Sequence, residues 1–244
     1  MITLTSCISV DYDLALLPHF VKHYSKLKID KYKFIFHSKY KFYPSKFEHL
    51  LEPLKSKVEI STWVGEFNAS DKMDRLNALQ TEGLILTADV DELQIWDRPL
   101  DKYFRIFYYI KSFFSKKKRV VWGFLRDRES KDSNLPFVTS VNLEEQFPII
   151  SNKSKWGRSA YKPCLFPYNV RLSSPHHLEG YEPKGPFIDV DHYRWISGRL
   201  EKSIERVNTY RKLNKQGKKL EEFGFFPTQG LQNVIDEYGT KTPL

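Results

Sequence analysis

Short apolar segments and segments with helical periodicity alternate through the first 88 residues of the chain. The predicted strands span 2–10, 31–38, 57–63 and 84–88, and the predicted helices span 14–27, 44–56 and 71–83. This alternation favours an open, mainly parallel sheet with helices on its faces. We therefore expect an α/β fold with one Rossmann-like domain.

The second half of the sequence has a less regular pattern. Segments 118–127 and 187–193 are predicted strands, and polar segment 128–141 is a predicted mobile loop that closes over bound substrates. The longest helical pattern covers 195–223. We expect a catalytic domain over 1–223, which ends in this long helix, and a tail over 224–244 that packs on the domain or is partly mobile.

A cluster of carboxylates follows the last of the early strands. The segment LILTADVDELQIW, Leu84 to Trp96, places Asp89, Asp91 and Glu92 directly after four apolar or β-branched residues. In open α/β sheets, ligands bind beyond the carboxyl ends of the strands. Three acidic groups this close repel one another, so a cation must keep them ionised together. Carboxylates that share a site with phosphate oxygens suit Mn²⁺ or Mg²⁺, although acidic turns also cap helices and end strands.

The run LTADVDELQIW resembles the metal-binding D-x-D-E segment of nucleotide-sugar-dependent glycosyltransferases with the glycosyltransferase-A fold, in particular the family 2-like and family 92-like group. The similarity runs in order from residue 2 to about residue 205. Three further matches are VVWGFLRD at 120–127, the pair SAYKPCLF with Lys162 and SSPHHLEGY with His177, and DHYRWISG with His192, Tyr193 and Ser197.

The resemblance implies transfer of a sugar from a nucleoside-diphosphate sugar to a glycan or lipid-linked acceptor, with inversion at the anomeric carbon and a UDP-sugar as the expected donor. It implies that Asp89 contacts the donor ribose or metal-bound water, that Asp91 binds the metal, and that Glu92 supports the site. It also suggests that Lys162 neutralises a donor phosphate. Biosynthesis of a surface polysaccharide is the usual role of such relatives.

Histidine and further carboxylates complete the predicted site. A neutral imidazole can complete a metal shell begun by carboxylates, and His192 is the first candidate and His177 the second. The early histidines His19, His23, His37 and His49 are interpreted as structural. An inverting transfer needs a carboxylate that accepts the acceptor's proton, and we expect Asp127 in this role. Glu144, Glu145, Asp189 and Asp191 remain open as alternatives.

Donor recognition is expected near the ends of the first and third strands. Asp11, Asn68 and Asn77 could read the edge of a nucleobase, and each is equally suited to a turn or a helix cap.

Charge and cysteine content constrain the partners. The net charge of +9 favours anionic partners. No stretch is apolar enough to span a bilayer, the first residues lack a signal-peptide pattern, and Cys7 and Cys164 have no C-x-x-C partner. We expect a cytoplasmic protein that can contact the inner face of an anionic membrane peripherally. We expect no nucleic-acid partner.

Other classes of function are less well supported by the sequence. The chain has no G-x-G-x-x-G and no P-loop, which disfavours NAD enzymes and P-loop kinases. A sugar nucleotidyltransferase usually has a glycine-rich basic loop after its first strand, and SVDYDLALLPH has neither feature. A non-catalytic module that binds RNA or an anionic glycan is a further alternative, because aromatic and basic residues alternate in IKSFFSKKKRVVW at 110–122.

Overall fold

The computed structural model describes residues 1–114, 120–130, 137–151, 161–184 and 186–193. The first half contains strands β1 (Ile2–Ser9), β2 (Lys31–Ser38), β3 (Val58–Val64) and β4 (Leu84–Thr87) with helices α1 (Leu17–Ser25) and α2 (Ala69–Ala78). The second half contains β5 (Glu92–Ile95), α3 (Lys102–Phe114), β6 (Val121–Glu129), α4 (Leu143–Gln146), β7 (Ile149–Ser151), β8 (Tyr161–Pro167), β9 (Leu172–Ser174), β10 (His177–Leu178) and β11 (Phe187–His192).

A mixed sheet holds most of these strands, in the order β3-β2-β1-β4-β8-β6-β11-β5, with β7 paired to β6. The pairings of β1 with β2 and β4, of β2 with β3, and of β6 with β11 are parallel. β8 is antiparallel to both β4 and β6, and β5 is antiparallel to β11. Six of the eight strands in this order therefore run in one direction, which confirms the predicted α/β class with a mainly parallel sheet.

As a result, most strands of the sheet have their carboxyl ends at the same edge. The carboxyl ends of β1, β2, β3, β4, β6 and β11 lie on this edge, together with the amino ends of the antiparallel strands β5 and β8. We call it the carboxyl edge. Polar residues from distant parts of the sequence meet there.

Helices cover both faces of the sheet, because side chains alternate in direction along each strand. Leu4 and Ile8 of β1 pack with Phe20 and Tyr24 of α1 in one core cluster. Cys7 points to the other face, into a second cluster that includes Met73 and Leu76 of α2. The side chains of β4 alternate between the two clusters in the same way.

Several local predictions need correction. The helix predicted over 44–56 is instead two 3₁₀ segments, Pro44–Lys46 and Glu48–Lys57; in an α-helix the ring of Pro53 would clash with the carbonyl of the residue four positions earlier. α2 begins after Asn68, which accepts a hydrogen bond from Ser70 N, rather than after Asp71. The strand predicted over 118–127 runs from Val121 to Glu129, so that Asp127 lies inside it.

Some predictions fall where the structure gives no description. The helix predicted over 195–223 and the tail over 224–244 lie outside the described residues, as do residues 131–136 of the predicted loop. Within the described part of the chain, no helix combines the length and the apolar character needed to cross a membrane.

Candidate functional site

Asp89 lies just beyond β4 on the carboxyl edge, between two lysines. Lys72 Nζ of α2 is 2.8 Å from Asp89 Oδ1, and Lys162 Nζ near the start of β8 is 3.0 Å from Asp89 Oδ2. β8 runs antiparallel to β4, which is why its first residues lie beside the last residues of β4. Burial opposes ionisation, but Lys162 and Lys72 hold the pKa of Asp89 well below its ordinary value.

Glu92 closes the turn between β4 and β5. Its Oε2 accepts the backbone N–H of Asp89 at 2.9 Å, and Glu92 N donates to Asp89 O at 3.0 Å. Lys162 Nζ also forms an ion pair with Glu92, and Lys162 is only 2 % exposed. Burial would lower the pKa of Lys162, but Asp89 and Glu92 raise it overall, so the lysine stays charged. The turn that presents Asp89 and Asp91 is thus held by two reciprocal hydrogen bonds and a buried cation.

Asp91, His192 and Asp127 form a second group beside the first. His192 Nε2 lies 3.5 Å from Asp91 Oδ2, and His192 Nδ1 lies 2.8 Å from Asp127 Oδ1. β11 and β6 place His192 and Asp127 at paired positions, and Asp91 O accepts the N–H of Tyr193 at 2.7 Å. Burial would lower the pKa of His192, but the hydrogen bonds to Asp127 and Asp91 raise it to about 9.

The buried position of Asp127 bears on its predicted role as the base. Its side chain is 1 % exposed, and Oδ1 is occupied by His192. A group in this position orients the imidazole and does not itself face a substrate. Asp89 and Asp91 are the carboxylates of the site that are partly open to solvent, with side chains 30 % and 13 % exposed.

Asp91 and His192 provide two ligands of the kinds that bind a divalent cation. Asp91 Oδ2 and His192 Nε2 are a carboxylate and an imidazole donor side by side, and the other imidazole nitrogen is held by a carboxylate, as in many metal-binding histidines. The carboxyl groups of Asp89, Asp91, Glu92 and Asp127 outnumber the two lysines, and burial raises the pKa of Glu92, so a bound divalent cation would favour the ionised form of the cluster. No three His, Cys, Asp or Glu side chains converge into a metal site among the described residues. Mg²⁺ and Mn²⁺ commonly take further ligands from water and substrate phosphates.

The three residues predicted to read the nucleobase form their hydrogen bonds with residues outside the carboxylate cluster. Asp11 accepts hydrogen bonds from Ser38 Oγ at 3.1 Å and from the backbone of Lys39. Asn68 is the N-cap of α2. Asn77 donates to Leu172 O and accepts from Leu172 N, both at 2.9 Å, and so joins α2 to β9. Asn68 and Asn77 therefore each have a structural partner.

Of the two neighbouring histidines, His176 is the one whose surroundings connect it with the cluster. His177 is exposed, and its Nδ1 lies 2.8 Å from Ser174 Oγ. His176 Nδ1 lies 3.2 Å from the carbonyl of Tyr161, next to Lys162. Burial, with the charge of Lys162, lowers the pKa of His176 to about 4, so His176 is neutral.

Sequence reasoning did not find Lys72. It lies in the ordinary helical pattern of residues 71–83, and its link to Asp89 arises only when α2 packs against the sheet. A lysine one turn after the N-cap of a helix that follows a strand is the signal available, and it is a weak one.

Comparisons with known proteins give limited information. No protein-family model and no curated protein matches the chain. Among solved structures, the chain is similar to S. aureus TarS, with a TM-score of 0.36, 11 % identity, and coverage of 68 % of this chain and 28 % of TarS. It is also similar to HddC from Yersinia pseudotuberculosis, with a TM-score of 0.41, 10 % identity, and coverage of 85 % and 100 %.

A structure of TarS residues 1–349 in complex with UDP-GlcNAc gives a TM-score of 0.30 at 10 % identity, with coverage of 56 % of this chain and 37 % of that one. The chain thus spans less than half the length of the TarS chains it resembles. Similarities this low establish neither a shared fold nor a shared activity.

Proposed function

We propose that the chain is a glycosyltransferase that transfers a sugar from a nucleoside-diphosphate sugar, with Mn²⁺ or Mg²⁺ bound at Asp91 and His192. The observation that carries the proposal is the convergence of Asp91 and His192 on the carboxyl edge, beside an Asp89 that two lysines hold ionised. An α/β sheet binds its ligands at this edge. The sequence resemblance of the D-x-D-E and His-Tyr segments supports the same activity.

The roles of the residues follow from their contacts. Asp91 and His192 would hold the cation, and Asp127 would fix the imidazole with Nε2 directed to Asp91. A bound divalent cation would supply Lewis-acid stabilisation of the charge that develops on the departing diphosphate. Lys72, Lys162 and Glu92 keep the Asp89–Glu92 turn rigid, and a preorganised site loses little free energy to reorganisation. UDP is the expected nucleotide.

The loop after β1 favours this activity over sugar nucleotidyl transfer. It contains Asp11 and Asp13 and neither glycine nor a basic residue before His19. Asp13 Oδ2 accepts the N–H of Ser9 at 2.8 Å, which folds the loop onto the end of its own strand. Such a loop lacks the glycine-rich, basic character with which nucleotidyltransferases usually bind their triphosphate substrate.

A donor-hydrolysis assay tests the proposal. The full chain is incubated with UDP-glucose, UDP-N-acetylglucosamine or GDP-mannose, with Mn²⁺ or with EDTA, and the released nucleoside diphosphate is measured. We expect metal-dependent release from one donor. Asp91→Ala and His192→Ala should lower this release by at least about a hundredfold if both hold the cation. Asp97→Ala is the matched control, because Asp97 is an exposed aspartate in the segment after β5.

Two outcomes would contradict the proposal. Release of pyrophosphate from UTP and glucose 1-phosphate, without nucleoside-diphosphate release from any sugar nucleotide, would indicate a nucleotidyltransferase. Equal release by Asp91→Ala and Asp97→Ala would show that the reaction does not use the Asp91–His192 pair.

A further inference from the structure

Helix α3 has an apolar face that points away from the core. Five of its large side chains are between 43 % and 78 % exposed, namely Tyr103, Ile106, Phe107, Tyr109 and Ile110. Four of them follow the spacing i, i+3, i+4, i+7, which places them on one side of the helix. We call the surface formed by these five residues the α3 face.

The other side of the same helix attaches it to the domain. Phe104 packs edge-on against Trp96, Tyr108 is 6 % exposed, and Arg105 forms an ion pair with Asp30 at 2.8 Å. The α3 face is therefore not the side that α3 uses to join the core. Contiguous exposed apolar surface of this kind marks an interaction site in a folded protein.

The sequence of α3 and its flanking residues indicates the class of partner. Apart from Arg105, which pairs with Asp30, residues 97–119 contain seven Lys or Arg and two Asp. Arg98 lies over the ring of Phe107, with its guanidinium carbon 5.4 Å from the ring centre. A helix with exposed aromatic and aliphatic side chains in a sequence rich in Lys and Arg has the composition of helices that lie in the interface of an anionic bilayer. Tyrosine, with an apolar ring and a polar hydroxyl, suits the level of the lipid headgroups.

A second copy of the chain suits this surface less well. A symmetric dimer through the α3 face would bring two segments of the same positive charge together, and like charges across an interface disfavour association. An anionic lipid surface meets the apolar side chains and the cations at once.

The position of α3 leaves the candidate site accessible. Asp30, the partner of Arg105, also accepts the N–H of Ile2, the first residue of β1, at 2.7 Å. The start of α3 thus lies at the edge of the sheet opposite to the carboxyl edge, and contact through the α3 face does not require the cluster around Asp91 to be covered.

We propose that the α3 face docks the protein on the surface of an anionic lipid bilayer, with Ile106, Phe107 and Ile110 inserted among the lipid headgroups. The proposal is independent of the reaction proposed for the carboxyl edge. It rests on the exposure, helical spacing and charge of α3 and its neighbouring sequence.

Co-sedimentation with vesicles tests this proposal on the full chain. Vesicles of phosphatidylcholine alone are compared with vesicles that contain phosphatidylglycerol, at low and at high salt. We expect sedimentation with the anionic vesicles that weakens at high salt, because exposed charges are screened. The variant Ile106→Ser/Phe107→Ser/Ile110→Ser should lower the partition coefficient at least about tenfold. The control variant Ile60→Ser/Ile149→Ser/Ile150→Ser, which changes three other exposed residues, should sediment as the wild type does.

Thermal unfolding and hydrogen exchange complete the test. Equal unfolding temperatures of the α3 variant and the wild type without vesicles would support an exposed face. A large loss of stability in the α3 variant would show that the chain itself covers the α3 face. A dimer that the α3 variant abolishes would show that a second copy covers it. Either result would overturn the proposal. In the wild type, anionic vesicles should slow amide exchange over 102–114, and unchanged exchange there would also overturn it.

Discussion

His192 and Asp127 lie at paired positions of two parallel strands, and His192 Nδ1 is 2.8 Å from Asp127 Oδ1. A carboxylate only accepts hydrogen bonds, so Nδ1 carries a proton and donates a hydrogen bond to Asp127. In the neutral imidazole, the lone pair is then on Nε2, which lies 3.5 Å from Asp91 Oδ2. Asp127 thereby selects the tautomer in which His192 can bind a cation together with Asp91.

Asp127→Asn should weaken Mn²⁺ binding without removing the hydrogen-bond acceptor. Removal of the carboxylate behind a metal-binding imidazole typically lowers metal affinity about 10- to 100-fold. The measurement is the Mn²⁺ concentration that half-saturates donor hydrolysis, with Asp97→Asn as the control. An unchanged Mn²⁺ requirement in Asp127→Asn would show that His192 is not a metal ligand.

Lys162→Met should destabilise the fold strongly, because it removes the cation that pairs with buried Glu92 and leaves Asp89 with Lys72 alone. Loss of one partner of a buried ion pair costs about 3–5 kcal/mol. Lys184→Met removes an exposed ion pair with Glu182 and should cost at most about 1 kcal/mol. Urea unfolding at pH 7 measures both values.

The combined variant Lys162→Met/Glu92→Gln should recover part of the loss, since it removes the uncompensated charge of Glu92 together with the lysine. Equal destabilisation by Lys162→Met and Lys184→Met would contradict the view that Lys162 neutralises the cluster.

The stability of the metal-free protein should fall as pH rises from 6.5 to 9. The pKa of His192 is raised from 6.5 to about 9 in the folded protein, chiefly by Asp127 and Asp91 against the effect of burial. A raised folded pKa gives a stabilisation that is complete below the unfolded pKa and disappears as pH passes the folded pKa. The expected loss is about 3 kcal/mol, taken from the shift at 1.36 kcal/mol per unit.

Urea unfolding in EDTA at several pH values measures this dependence. His192→Gln should flatten it, while His49→Gln, at an exposed position outside the site, should leave it unchanged. The same slope in His192→Gln and wild type would contradict the charged imidazole between Asp91 and Asp127.

Asn77→Ala should lower stability and leave the KM for the sugar donor unchanged. The side chain of Asn77 makes two partly buried hydrogen bonds of 2.9 Å to the backbone of Leu172, and loss of such bonds costs about 1–3 kcal/mol. Thermal unfolding and donor kinetics separate the two effects. A raised KM with unchanged stability would instead support the prediction that Asn77 reads the nucleobase.

The sequence predicts the position of the carboxylates well, because a strand's carboxyl end fixes where the following residues lie. The positions of Asp89 and Asp91 could be predicted from β4 and from the alternation of strands and helices before it. The pairing of Asp127 with His192 joins residues 65 positions apart through β6 and β11. No local pattern records which strands become neighbours, so the sequence indicates His192 and Asp127 separately and does not predict that they pair.

Other elements escape prediction for different physical reasons. α3 has apolar side chains both toward the core and toward solvent, so the one-sided periodicity that marks a surface helix is missing. Pro53 converts a helical pattern into 3₁₀ segments through backbone chemistry, which periodicity does not detect. Lys72 looks like any surface lysine until α2 packs beside β4.

A nucleoside diphosphate and a divalent cation should bind together at Asp91 and His192. The first measurement is thermal unfolding of the wild type and Asp91→Ala with Mn²⁺ plus UDP, GDP or CMP. At about a hundred times the dissociation constant, binding should add ~2.7 kcal/mol, or about 5–10 °C for a chain of this size. We expect a shift with UDP that requires Mn²⁺ and is lost in Asp91→Ala. The absence of a shift with all three nucleotides, or an equal shift in Asp91→Ala, would contradict this expectation.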